Sequence, residues 1–260
     1  MDHPGHSVFL LAQNLFIGYR FSWGVFKGLG DMRMKKLPGN SDEYSMDRLD
    51  PLADSPLAGK KVLFLGSSVT YGAASLQEGI PEYFARRLSC DVTKEAVSGT
   101  TLVDNGSSSY VQRLLNRVPV ENAYSLAVIQ LSTNDATQKK PLGSIDPEQK
   151  DGFNTATVLG AMEFIISYCR NSWNCPVLFY TSARYDSAEY AAMVEQLPAL
   201  QEKWGIGVLD LWHDDAFNAI SDADRALFMS DKVHPTKAGY RAWWCPEMER
   251  QLLAYLAEIG

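Results

Sequence analysis

The sequence is short of cysteine, histidine and positive charge, and each shortage removes a class of function. Four cysteines (Cys90, Cys169, Cys175 and Cys245) occur in 260 residues, with no C-x-x-C pair and no histidine at finger spacing. No zinc site and no obligatory disulfide framework is expected, and the thiols read as reduced and buried. Lys and Arg number 24 against 31 Asp and Glu, for a net charge of −7. Such a chain lacks the basic footprint of a nucleic-acid binder, so a small neutral or polar partner is expected. There is no internal repeat and no low-complexity tract. With 46% hydrophobic and 21% charged residues the composition is that of an ordinary globular protein, which excludes disorder, collagen and coiled coil. A chain of this length buries about 70% of its unfolded surface, enough for one large core.

No unbroken apolar run is long enough to read as a membrane span. Residues 7–26 (SVFLLAQNLFIGYRFSWGVF) are apolar and aromatic, but Gln13, Asn14 and Arg20 interrupt them, and Gly18 and Gly24 weaken a helix. The preceding MDHPGH has no Lys or Arg to form the basic region of an export signal. The segment reads as an amphipathic helix packed on the body or on a second copy in a homodimer, the alternative being shallow attachment to a membrane surface. The cytoplasm is the default location. Residues 37–59 are rich in Pro, Gly, Ser and Asp, lack periodicity and read as a surface linker. The expected division is an N-terminal extension, 1–59, and one domain, 60–260.

From Lys60 onward short apolar runs alternate with longer amphipathic stretches. VLFL (62–65), LAVIQL (126–131), VLFY (177–180) and VLDL (208–211) suit parallel strands covered on both faces, with DVTKEAV (91–97) a weaker candidate. Helices are expected over 77–88, 110–116, 153–171, 188–203 and 236–256. This alternation predicts an α/β fold with a parallel sheet between helical layers, and a ligand at the carboxyl ends of the strands.

The loops at those ends carry the chemistry. The first strand runs into Gly66-Ser67-Ser68-Val69-Thr70, a turn that serves either as a phosphate cradle or as the seat of a nucleophilic serine. The chain's end distinguishes the two. Of four histidines, His3 and His6 are terminal and His213 follows the fifth strand, whereas His234 sits in SDKVHP just before the last helix. Asp231 stands three residues earlier, where a tight turn sets a carboxylate against imidazole Nδ1. A phosphate cradle needs no such base; a nucleophilic serine does. Beside the backbone N–H of Ser68 itself, oxyanion donors are available at the next two strand ends: the backbone N–H of Gly99 and the side-chain NH₂ of Asn134.

Together these residues resemble the SGNH hydrolases, also called the GDSL family of esterases and lipases, whose four blocks correspond here to GSSVT, SGTT, STND and DKVHP. The resemblance covers about residues 60–257. It implies a flavodoxin-like three-layer α/β/α fold with five parallel strands in the order 2-1-3-4-5. It also implies metal-free, cofactor-free hydrolysis of an ester through a triad of Ser68, His234 and Asp231. Two residues depart from the pattern: Ser67 replaces the Asp of the name-giving motif, and Ser132 replaces the usual Gly of the third block. The expected substrates are short acyl esters, acetyl on a carbohydrate above all. Arg184 and Tyr185 are expected at the rim, and Trp212, Trp243 and Trp244 are candidates for stacking on sugar rings. The alternatives are a lipid or thioester hydrolase, an acyltransferase using the same triad, and a binding module without catalysis.

Overall fold

The computed structural model describes residues 32–260. The segment 7–26, and with it the expected amphipathic helix and dimer contact, lies outside the described residues.

Residues 32–35 are helical and are followed by three 3₁₀ turns, Pro38–Asn40, Asp42–Tyr44 and Met46–Arg48. They are followed by β1 (Lys61–Gly66), α1 (Ser68–Tyr71), α2 (Ile80–Arg87), β2 (Asp91–Ala96), α3 (Tyr110–Arg117), β3 (Leu126–Gln130), α4 (Thr133–Thr137), α5 (Val158–Trp173) and β4 (Val177–Tyr180). The chain continues through α6 (Ala188–Val194), α7 (Leu197–Trp204), β5 (Gly207–Leu209), α8 (Asp215–Asn218), α9 (Asp222–Phe228), α10 (Lys237–Gly239), a π turn (Tyr240–Trp244) and α11 (Cys245–Ile259). The five strands form one parallel sheet in the order β2-β1-β3-β4-β5, as the resemblance implies.

Period-2 alternation of buried residues explains the three layers. Leu63 and Leu65 of β1, Ala127 and Ile129 of β3 and Phe179 of β4 face a core shared with α3, α5, α6 and α7. Val62, Phe64, Val128 and Leu178 face the opposite core, built with α2 and α11. Because both faces are covered, these strands are apolar but for Lys61 and Gln130 rather than alternating with polar residues. All four cysteines are free and buried.

Three expectations needed correction, two of them because of proline. The single helix expected over 188–203 is two, α6 and α7, since Pro198 opens α7 and cannot supply the N–H that would continue α6. The last helix is interrupted ahead of Pro246: the backbone widens through Tyr240–Trp244, and the N–H of Cys245 reaches the carbonyl of Tyr240. Residues 37–59 are more than a surface linker. Met46 and Leu57 are buried in the α2/α11 core, and Asn40 and Ser55 are buried with hydrogen-bonded side chains.

No helix among the described residues is long and apolar enough to cross a membrane.

Candidate active site

Five parallel strands bring their carboxyl ends to one edge, so the loops after β1, β2 and β3 meet. Gly66 closes β1 opposite Ala96 of β2, while Leu65 stands opposite Ile129 of β3. Gly66 is required by close approach, since a Cβ there would stand 1.7 Å from Thr70 Oγ1 and 2.9 Å from Gln130 Oε1. The chain then turns at Ser67, and Ser68 begins α1. Gln130 fixes this turn from below: its Oε1 accepts the N–H of Ser67 at 2.8 Å, the N–H of Thr70 at 3.2 Å and the Thr70 hydroxyl at 2.8 Å.

Ser68 Oγ lies 2.7 Å from His234 Nε2, although 166 residues separate them in sequence. His234 Nδ1 is 2.8 Å from Asp231 Oδ2 and 3.0 Å from Oδ1. The loop holding this pair is an Asx-type turn, in which Asp231 Oδ1 accepts the backbone N–H groups of Val233 at 2.8 Å and His234 at 2.9 Å. Backbone bonds brace the same loop, from Ser230 N–H to the His234 carbonyl at 2.9 Å and from Thr236 N–H to the Phe228 carbonyl at 2.8 Å. A carboxylate only accepts, so Nδ1 carries the proton and Nε2 of the neutral ring faces the serine as an acceptor. Burial raises the Asp231 carboxyl, but the hydrogen bonds from the His234 ring and from the backbone of Val233 and His234 outweigh it and hold the group down at about 2.

The expected oxyanion donors lie on the two neighbouring loops. Gly99 has φ +81°, a left-handed conformation that a side chain would strain. Asn134 Nδ2 donates one hydrogen to the Thr100 carbonyl at 2.9 Å, leaving the other unengaged among the described residues. The backbone N–H groups of Ser68 and Gly99 likewise have no acceptor among the described residues. Ser132, the departure from the third block, has φ −75° and ψ 121°, a conformation that needs no glycine. Its hydroxyl caps α4 by accepting the N–H groups of Asn134 at 3.2 Å and Asp135 at 3.4 Å, so the substitution supports the loop.

Arg184 and Tyr185 line a groove of about 560 Å³ that is also bounded by Asp222, Arg225, Asp231 and Lys232. The groove therefore shares Asp231 with the Ser68–His234–Asp231 chain. Arg184 is held by Asp215 at 2.8 Å and by the Trp212 carbonyl at 3.0 Å. The three tryptophans are a correction. Trp212 and Trp243 are each 7% exposed and Trp244 is fully buried, so none offers a face for stacking on a sugar. They pack in the two cores because each lies against other aromatic rings, as Trp212 does against Tyr185 and Tyr190 and Trp243 against Phe217.

Two supporting residues escaped sequence reasoning. Arg113 on α3 is fully buried and uses all five N–H donors, toward the carbonyls of Ser108, Glu95 and Gly66, the Thr100 hydroxyl and the Glu95 carboxylate. It thus ties the strand that presents Ser68 to the loop that presents Gly99. Gln130 is the other. Each left a signal: an arginine between the apolar residues of an amphipathic helix, and a glutamine in an otherwise apolar strand. Among the described residues no group of three or more His, Cys, Asp or Glu side chains is arranged to hold a metal ion.

Comparison with known proteins agrees with this architecture. A protein described as a GDSL-like lipase from Bacteroides ovatus superposes with a TM-score of 0.52 at 16% identity, covering 77% of this chain and 99% of its own. A family two carbohydrate esterase from Clostridium thermocellum, solved in complex with cellohexaose, gives 0.55 at 16% identity over 80% of this chain and 67% of its own. Its counterpart from Cellvibrio japonicus gives 0.53 at 16% identity over 79% and 64%. At these identities the likeness is one of fold. No curated protein matches the sequence. The family profile of the GDSL-like lipases and acylhydrolases matches residues 64–242, and the chain belongs to that family.

Proposed function

We propose that the protein is a serine esterase that removes short acyl groups, acetyl in particular, from a carbohydrate. The observation that carries this reading is the hydrogen-bonded chain Ser68–His234–Asp231 at 2.7 and 2.8 Å. His234 Nε2 takes the proton from Ser68 Oγ as the oxygen attacks the ester carbonyl, and Asp231 stabilises the imidazolium that forms. The N–H groups of Ser68 and Gly99 and the free amide hydrogen of Asn134 receive the developing oxyanion. Collapse breaks the ester bond, and the departing alcohol takes the proton from His234. Water, deprotonated by the same ring, then releases the acid from Ser68.

The groove beside Asp231 sets the charged Arg184, Asp222, Arg225 and Lys232 around a small apolar patch of Tyr185, Ala226 and Met229, a mixture that suits a hydroxyl-rich ring better than a fatty chain. The carbohydrate esterases of the same fold support that choice. The test compares wild type with Ser68→Ala on p-nitrophenyl acetate, butyrate and octanoate and on acetylated sugars. Turnover of the acetyl esters should be fastest, and Ser68→Ala should lose about 10⁴-fold or more. A Ser68→Ala protein as active as wild type would overturn the mechanism. Fastest turnover of octanoate would favour a lipid hydrolase, and transfer to added sugar outrunning hydrolysis would favour an acyltransferase. A wild-type serine inert toward a fluorophosphonate would favour a binding module.

A further inference from the structure

The Ser68–His234 contact joins two loops from opposite ends of the domain sequence. A third segment, from the N-terminal extension, bridges them. Asn40 is 4% exposed, and its carboxamide reaches both sides. Nδ2 donates to the Ala74 carbonyl at 2.8 Å and to the Met34 carbonyl at 2.8 Å, while Oδ1 accepts the backbone N–H of Lys237 at 2.9 Å. On the first side, the turn that contains Ala74 is bonded to the nucleophile's own backbone: the N–H groups of Gly72 and Ala73 both reach the Ser68 carbonyl at 3.0 Å. On the other, Lys237 follows His234 by three residues. The intervening Thr236 is fixed to the carbonyls of Leu227 and Phe228.

Further bonds hold the bridge in place. Glu78 forms an ion pair with Lys237 and accepts the Ser45 hydroxyl at 2.9 Å and the Met46 N–H at 2.7 Å. Arg241 donates to the carbonyls of Glu43, Ser45 and Arg48. At Gly39 a Cβ would stand 2.1 Å from the Leu227 carbonyl oxygen and 2.4 Å from Thr236 Oγ1, so the strap lies directly against the histidine loop. A buried amide is tolerated only when its groups are paired, and both Asn40 donors and its oxygen are. Alanine would leave the Ala74 carbonyl and the Lys237 N–H without this common partner.

We propose that Asn40 is a positioning residue that sets the separation of Ser68 and His234, making residues 38–48 a working part of the active site rather than a linker. The inference rests on the serine-esterase reading. A shift well under 1 Å would spoil proton transfer across a 2.7 Å contact while leaving a groove formed by other residues intact.

The experiment measures kcat and KM for p-nitrophenyl acetate, the rate of fluorophosphonate capture and the Tm, in wild type, Asn40→Ala and Leu57→Ala. Leu57 is equally buried in the extension but touches neither loop through a hydrogen bond, so it controls for lost packing. Asn40→Ala should lower kcat and the capture rate about 10- to 100-fold with KM within about two-fold of wild type. Leu57→Ala should lower Tm at least as far while keeping kcat within about two-fold. Wild-type kcat in a folded Asn40→Ala protein would overturn the proposal and leave the esterase reading standing, as would an equal loss of kcat in Leu57→Ala. If Asn40→Ala does not fold, Glu78→Gln, which weakens the same clasp at Lys237, should reproduce the kcat loss in smaller measure, and unchanged kcat there overturns the proposal. A wild type that neither hydrolyses the ester nor reacts with the fluorophosphonate overturns both readings together.

Discussion

Asn134 and Thr100 are joined by a hydrogen bond of 2.9 Å from the side-chain amide to the backbone carbonyl, and this bond locks together the loops that follow β2 and β3. The same amide thus orients the Gly99–Thr100 loop with one hydrogen and keeps the other unengaged among the described residues, where the proposed mechanism sets the oxyanion. Ser132 reinforces the arrangement from behind by capping the helix on which Asn134 stands.

Asn134→Ala removes both effects. Turnover of p-nitrophenyl acetate should fall about 10²- to 10³-fold, or roughly 3–4 kcal/mol of transition-state stabilisation, with KM little changed. The fall should exceed that from Ser132→Ala, which removes a cap but no donor. Steady-state kinetics on the two variants checks the order.

Arg113 has a structural task of greater energetic weight. Arg113→Met would take a donor from each of the carbonyls of Gly66, Ser108 and Glu95, leaving Gly66 only the Val97 N–H, and would leave the Glu95 carboxylate without its buried partner. A loss of about 3–5 kcal/mol is expected, read from urea unfolding as a lower midpoint at unchanged slope. Arg113→Lys keeps the charge but offers three donors from a single point instead of five in a plane, so it should fall between wild type and Arg113→Met.

The strands and the blocks that meet at the candidate site were legible in the sequence for the same reason: both are written in short, contiguous runs. VLFY reads as a buried strand and becomes β4, and LAVIQL reads as one and becomes β3 with its last residue outside. Asn40 was illegible. Nothing near it is periodic, and its two cross-domain partners are backbone groups 34 and 197 residues away. The tryptophans misled because aromatic residues late in a chain look alike whether they face a ligand or a core. The D-x-x-H spacing was ambiguous in a more instructive way, because it occurs twice. Asp210 and His213 fold into the same turn as Asp231 and His234, with Asp210 Oδ1 accepting the N–H groups of Trp212 and His213 and Oδ2 facing Nδ1 at 2.7 Å. Only the far nitrogen differs: Nε2 meets Ser68 in one turn and Glu195 in the other.

The Asp231 carboxyl, held at about 2, ties stability to acidity. A carboxyl lowered from an unfolded value near 3.9 contributes its full stability above about pH 4 and loses it as the pH falls toward 2. Wild type should therefore be more stable than Asp231→Asn at neutral pH, and the gap should close through that acid window in thermal melts. Activity should separate the two far more strongly. Without the carboxylate the ring no longer holds its proton on Nδ1, and kcat should drop about 10⁴-fold.

His213 gives the opposite sign and tests whether the second D-x-x-H turn is structural. Its pKa is raised, chiefly by the hydrogen bond to Asp210 with Glu195 adding to it against partial burial. A histidine raised in the folded state contributes stability fully below its unfolded value of about 6.5 and loses it as the pH climbs through the folded value. The His213 side chain is half exposed, so solvent screening limits the effect to about 0.5 kcal/mol. His213→Gln should accordingly be slightly less stable than wild type at pH 5.5 and equal to it at pH 9. It should hydrolyse p-nitrophenyl acetate at the wild-type rate at both, because no hydroxyl faces its Nε2. A large loss of turnover in His213→Gln would mean that the imidazole beside Glu195, and not the turn around it alone, takes part in the reaction.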